Sequence, residues 1–199
     1  VIEFVTLAAT GSVTDFGDLT ETANFPSGAA NSTRGIFAAL GTTTSSSGAN
    51  KIEFITIASA GDATDFGDLT VARSMNDNGL SSTTRAVFCG GYDGSNRSNV
   101  MDYITIGSAG DATDFGDLTV GRNAGGATSS STRGILGGGY GSSGAVNTID
   151  YITIGSTGNS TDFGDLTAVR YSLGATSNST TGVFCGGHDG SAAVNIIEQ

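Results

Sequence analysis

The sequence predicts an all-β fold, a β-propeller of about four blades with four antiparallel strands in each. One segment recurs four times, at residues 13–23, 63–73, 112–122 and 160–170, with spacings of 50, 49 and 48 residues. Each repeat contains short runs of β-branched and aromatic residues between turn residues, and no segment has helical periodicity. A four-stranded sheet with a period near 50 residues cannot bury both faces alone, so we expect the repeats to pack radially as blades.

The second repeat shows how the four strands are assigned. IEFITI at 52–57 and DFGDLTV at 65–71 are the third and fourth strands of one blade, and segments around 80–83 and 85–91 are the first and second strands of the next. Counted this way, the chain has two strands at its N-terminal end, three complete blades and two strands at its C-terminal end. We expect the two half-blades to pair and close the ring, with NIIEQ at 195–199 as an overlapping start of a third strand.

The length of 199 residues favours a single domain that spans residues 1–199. The opening VIEFVTLAATGS has no initiator Met and no basic segment, so we expect a fragment or a processed product. The repeat units are approximately 1–50, 51–100, 101–148 and 149–199.

The charge balance argues against several classes of partner. The 19 acidic residues exceed the 8 basic ones and give a net charge of −11, which repels nucleic acid and anionic membranes. No apolar run approaches the ~20 residues of a membrane helix. We therefore expect no nucleic-acid binding and no membrane insertion.

Most charged residues recur with the repeat, which favours structural roles. Arg73, Arg122 and Arg170 share one repeat position, and we expect their guanidinium groups to join neighbouring strands or blades through carboxylates and carbonyls. Acidic residues recur in the third strand of each blade and around each DFG. Those around each DFG could either bind calcium or accept hydrogen bonds from backbone N–H groups within turns. The spacing fits no EF-hand, so we predict no metal. The third-strand acidic residues are Glu3, Glu53, Asp102, Asp150 and Glu198.

The sequence contains no recognisable set of catalytic residues and no cofactor-binding motif. DFG recurs four times without a kinase catalytic loop, and the glycines at 137–144 lack the Lys of a phosphate-binding loop. His188 is the only histidine, which rules out a multi-His metal cluster. Cys89 and Cys185 share a repeat position, and we predict free thiols that act as small buried fillers. We predict that the chain is not an enzyme and uses no cofactor.

The repeats resemble kelch repeats over nearly the whole chain. The similarity rests on Gly pairs such as Gly90 and Gly91, on Tyr103 in the following strand, and on an aromatic residue three positions before Leu69 with Arg73 four positions after it. Phe stands at the position that kelch repeats give to Trp. The TDFGDLT repeats are also similar to those of structural proteins predicted in marine bacteriophages. The first resemblance implies a kelch-like propeller, and the second implies a virion protein.

The loops at one end of the predicted propeller are the candidate binding surface. They vary most between repeats, at 91–99, 139–147 and 187–195, and they carry aromatic and charged side chains on a rigid scaffold. We predict a structural or attachment protein of a phage virion or another extracellular surface. Its partners would be other virion or surface proteins, or cell-surface glycans, and a secreted carbohydrate- or protein-binding module is the alternative. The candidate ligand-binding residues are Tyr92, Asp93, Arg97, Tyr140, His188 and Asp189.

Overall fold

The computed structural model describes residues 1–40, 49–76 and 78–199. The described residues form strands, turns and bends but no helix, and hence none that could cross a membrane. The predicted all-β, four-bladed propeller is confirmed. The strands are β1 Ile2–Phe4, β2 Thr14–Gly17, β3 Ser27–Ala30, β4 Arg34–Leu40, β5 Ala49–Thr56, β6 Thr64–Arg73, β7 Gly79–Ser81, β8 Arg85–Tyr92, β9 Arg97–Thr105, β10 Thr113–Asp117, β11 Arg122–Asn123, β12 Gly126–Ser129, β13 Arg133–Gly141, β14 Gly144–Thr153, β15 Thr161–Asp165, β16 Gly174–Ser177, β17 Gly182–Cys185 and β18 Ile197–Glu198.

Three blades are complete antiparallel sheets. The first has the order β3-β4-β5-β6 and the second β7-β8-β9-β10. In the third, β13 pairs with both β11 and β12, and β14 and β15 follow. Each sheet therefore joins two strands from one repeat to two from the next.

The fourth blade consists of β16, β17 and β18, and β1 and β2 form a separate two-stranded sheet. This arrangement differs from the expected pairing in one respect. The prediction pairs β17 with β1, whereas β17 pairs with β18 through Phe184 and Glu198, and β1 pairs with β2. The described residues contain no ladder between β1 and β17. Both candidate strands carry the dipeptide Ile-Glu, and Glu198 of β18 forms an ion pair with Arg170. The overlapping C-terminal segment therefore takes the third-strand position.

A repeated backbone contact joins each blade to the next. The N–H of Gly61, Gly110 and Gly158 donates to the carbonyl oxygen of Phe16, Phe66 and Phe115, respectively, at 2.7 Å in each case. The Gly of each of these three DFG segments allows this approach. At Gly67 the φ angle is 143°, and a Cβ there would lie 2.5 Å from the carbonyl of Gly110. The DFGD sequence is thus a docking strand between blades.

Two buried arginines at or after the end of an outer strand, Arg73 and Arg122, bind carboxylates in the third strand of the following blade. Arg73 and Asp102 approach to 2.7 Å with both side chains fully buried, and Arg122 and Asp150 approach to 2.8 Å. The other guanidinium donors of Arg73 reach the carbonyl oxygens of Gly90 and Phe88. The predicted structural role of these arginines is confirmed, because Arg73 joins the outer strand β6 to the second blade and Arg122 joins β11 to β14 within the third blade.

The inner strands are built from small residues that pack closely around the axis. β3, β7, β12 and β16 lie beside one another in that order. The hydroxyl of Ser129 donates to the carbonyl oxygen of Ser81, and the hydroxyl of Ser177 donates to that of Ser129, both at 2.9 Å. Serine side chains therefore hydrogen-bond the inner strands of three successive blades.

The third blade is less covered than the others on the side that faces β16–β18. Phe163 is 53% exposed, although its counterpart Phe115 is 2% exposed in the second blade. A groove of about 670 Å³ lies there, and its apolar lining includes Leu166 and Phe184. Among the described residues, nothing lies within 4 Å of a Cβ added at Gly164. Equivalent phenylalanines therefore differ in burial.

Replacing Asp150 with Asn should lower the free energy of unfolding by about 3–5 kcal/mol, because Arg122 would stay buried without a charged partner. Chemical denaturation measures the change. The exposed Asp165 provides the control, and Asp165→Asn should shift stability by no more than about 0.5 kcal/mol. Equal losses in the two variants would contradict the structural role of the buried pair.

The two equivalent phenylalanines should respond differently to truncation. Phe115→Ala should cost about 3–5 kcal/mol because it opens a cavity in the core. Phe163→Ala should cost about 0.5 kcal/mol because its ring is half in solvent. Equal costs in thermal or chemical denaturation would mean that Phe163 is covered in solution.

Candidate functional site

The candidate surface is the end of the propeller where the second and third strands of the blades connect, which we call the loop end. It contains the turns at 92–97, 140–145 and 187–194. The connections from one blade to the next, such as the one that contains Tyr171, meet these turns through backbone pairing with His188. Strand direction brings both kinds of loop to the same end of the propeller.

Four of the six predicted residues lie in one continuous row of side chains at the loop end. The guanidinium carbon of Arg97 lies 4.2 Å from the centre of the Tyr92 ring and 5.3 Å from that of Tyr140. Tyr140 packs edge-to-face on Tyr171 at 5.1 Å, and Tyr171 lies 5.3 Å from the His188 ring. We call these five side chains the aromatic row. It runs from the second blade across the third to the fourth, and all five are partly exposed.

Tyr171 is the member of the row that the sequence prediction missed. It follows Arg170 in the connection between blades, where the other complete repeats have Ser74 and Asn123. The sequence does distinguish Tyr171, because no other connection between blades carries an aromatic residue directly after the repeated DFG segment's last position. Its contact with Tyr140 depends on which loops meet in space.

The two predicted acidic residues hold the turns in shape. One carboxylate oxygen of Asp93 accepts hydrogen bonds from the N–H groups of Asn96 at 2.7 Å and Ser95 at 2.8 Å. These backbone donors hold the pKa of Asp93 below its ordinary value. Asp189 repeats the arrangement with Ala192 and Ser191, and the pKa of Asp189 is lowered for the same reason. Both loops are therefore internally braced.

His188 also takes part in its own turn. Its Nδ1 accepts a hydrogen bond from the N–H of Gly190 at 3.0 Å, and its backbone pairs with Tyr171. The imidazole therefore has Nε2 available for a ligand, while Nδ1 is occupied.

The axial opening at the same end is lined by strained backbone. Residues with positive φ occur at one equivalent position in every connection between blades, with angles between 53° and 60°. They surround an opening of about 440 Å³, and Phe25 is 65% exposed at its rim. For side-chain-bearing residues this conformation is unfavourable. The four residues are Phe25, Asn76, Ala124 and Ser172.

The acidic turn residues that raised the question of calcium have structural partners. A carboxylate oxygen of Asp62 accepts a hydrogen bond from the N–H of Asp18 at 2.9 Å, and one of Asp111 accepts from the N–H of Asp68. In the next blade the side-chain amide oxygen of Asn159 accepts from the N–H of Asp117. These contacts cross from blade to blade. Within residues 1–40, 49–76 and 78–199, no group of three or more His, Cys, Asp or Glu side chains is placed to hold a metal ion.

The two cysteines are free, as predicted, but only one is a buried filler. Cys89 is fully buried, and Cys185 is exposed. Burial raises the pKa of the Cys89 thiol to about 12. The prediction of burial was wrong for Cys185, because β17 lies in the less covered fourth blade.

The sequence matches no protein-family model and no curated protein.

Alkylation by iodoacetamide should distinguish the two thiols. At pH 8, mass spectrometry of the native protein should show modification at Cys185 alone, because the buried Cys89 is both inaccessible and un-ionised. Denaturant should make both sites reactive. Rapid native labelling of Cys89 would contradict the packing of the second blade, and Cys185→Ser is the control for site assignment.

Proposed function

We propose that the chain is a non-enzymatic attachment or structural protein that binds its ligand at the loop end, displayed on a virion or another exposed surface. The aromatic row is the observation that carries the proposal. Partly exposed tyrosines offer large contact areas and few rotatable bonds, so ordering them on binding costs little. A row that crosses three blades suits an extended ligand rather than a small one.

The bracing of the loops supports a binding role. Asp93 and Asp189 fix their turns through backbone N–H groups, which reduces the conformational entropy that binding would remove. Phe25 and the strained residues around the axial opening lie at the same end. Strained backbone of this kind is concentrated at binding sites.

The use of the charged residues supports a non-catalytic role. The buried carboxylates of Asp102 and Asp150 are bound by arginines and threonines between blades, and that of Glu53 by Lys51 and Thr20. They are therefore occupied and enclosed in the fold. His188 has one ring nitrogen in its own turn. Acid–base catalysis would need such groups to be free beside a ligand.

A glycan array with the purified chain tests the proposal. The double variant Tyr140→Ala, Tyr171→Ala should weaken binding tenfold or more, because central aromatic residues carry much of the affinity of a binding surface. Tyr151→Ala is the matched control, since Tyr151 lies toward the opposite end and packs on Phe163.

Two results of this experiment would contradict the proposal. One is equal binding by the double variant and the control. The other is conversion of an array glycan to a cleaved product, detected by mass spectrometry and abolished by a loop-end substitution, which would make the chain an enzyme.

A further inference from the structure

Arg97 differs from most of the eight basic residues in what its side chain contacts. Within the described residues, Lys51, Arg73, Arg122 and Arg170 form ion pairs with carboxylates. Another two arginines donate to backbone carbonyls of the next blade. Arg34 reaches Ile106, and Arg85 reaches Ile154.

Arg97 has neither kind of partner in the described part of the chain. Its Nε is buried without a hydrogen-bond acceptor, and it has no carboxylate within 4 Å. Its guanidinium group instead lies against the rings of Tyr92 and Tyr140, which belong to different blades. The two terminal NH2 groups are not buried, and contact with ring faces leaves their edge of the guanidinium plane for a ligand, whereas Nε is enclosed.

The nearest acidic side chain of the same turn does not neutralise Arg97. Asp93 directs a carboxylate oxygen at the N–H groups of Ser95 and Asn96, which closes the turn. Tyr92 is fixed as well, because its hydroxyl donates to the carbonyl oxygen of Gly94 at 2.9 Å. The turn therefore holds a cation in place and uses its own carboxylate elsewhere.

We propose that Arg97, between Tyr92 and Tyr140, binds the carboxylate of an acidic sugar, either a uronic acid or a sialic acid. The inference rests on the proposed function and names the ligand class of the same surface. A guanidinium group matches a carboxylate with two parallel hydrogen bonds, and tyrosine rings cover the C–H surfaces of a sugar. Tyr171 and His188 continue the row for the neighbouring sugar unit.

The net charge of −11 restricts the class of ligand further. A densely charged polyanion such as sulfated glycosaminoglycan or nucleic acid would be repelled by the protein as a whole. A single carboxylate within a largely neutral glycan is attracted by Arg97 at short range, since salt screens the distant charges over about 8–10 Å. The site therefore selects isolated carboxylates.

The experiment compares sialylated and uronate-containing oligosaccharides with the same oligosaccharides whose carboxylates are methyl-esterified, using calorimetry. The wild-type chain should bind the acids at least tenfold more tightly than the esters. Arg97→Gln should remove that preference, and Arg97→Lys should restore only part of it because an ammonium group cannot form the paired hydrogen bonds.

Arg133→Gln is the matched control, because Arg133 also lies over a tyrosine, with its guanidinium carbon 4.7 Å from the Tyr151 ring centre. It begins β13 at the opposite end of the propeller and should leave binding unchanged. Denaturation curves establish that each variant is folded.

The outcomes separate the two proposals. Loss of the acid preference in Arg97→Gln alone supports the inference. Equal binding of acids and esters, or tightest binding to sulfated glycans, overturns the carboxylate site and leaves the loop end as a binding surface. Absence of binding to any glycan on the array also overturns the carboxylate site. If the loop end still binds a protein partner in that case, the proposed function stands although the carboxylate site has failed.

Discussion

The backbone hydrogen bond between the turn of one blade and the outer strand of its neighbour is the contact on which the propeller depends. It recurs at Phe16, Phe66 and Phe115 with the same length of 2.7 Å. The approach is close enough to require glycine in the first three DFG segments, and Arg73 and Arg122 reach buried carboxylates beside it. Since an unpaired charge or amide in that position would be costly, each junction is fixed in distance and register.

The repeated contacts hold the blades together without the turns of the loop end, which explains why the sequence of those turns can vary between repeats. The charged residues at the repeated positions form ion pairs and hydrogen bonds that hold the blades, and the small residues of the inner strands pack around the axis. The turns at 92–97, 140–145 and 187–194 lie outside these contacts, so their residues can differ without disturbing the blades. The aromatic row is built from those differences, with Tyr171 and His188 replacing the residues of other repeats.

Comparison of the four repeats with one another predicted the candidate surface but not its geometry. Variation between repeats identified Tyr92, Arg97, Tyr140 and His188, and strand alternation placed their loops at one end. Their side chains meet only because adjacent blades bring the turns at 92–97 and 140–145 together, where Arg97 contacts Tyr140. The local role of Asp93 in bracing its own turn was likewise hidden, since an aspartate in a turn can bind a ligand or a backbone N–H group.

The sequence by itself determined the strand pattern, the number of blades and the structural use of the repeated arginines, because each follows from residues that recur every 48–50 positions. Tertiary structure decided which strand completes β17, since Ile2-Glu3 and Ile197-Glu198 are the same dipeptide and only Glu198 reaches Arg170. It also decided that Cys89 is buried and Cys185 exposed, although they share a repeat position. Equivalent residues acquire different environments because burial depends on the neighbouring blade, and a repeat sequence does not specify which neighbours each copy meets.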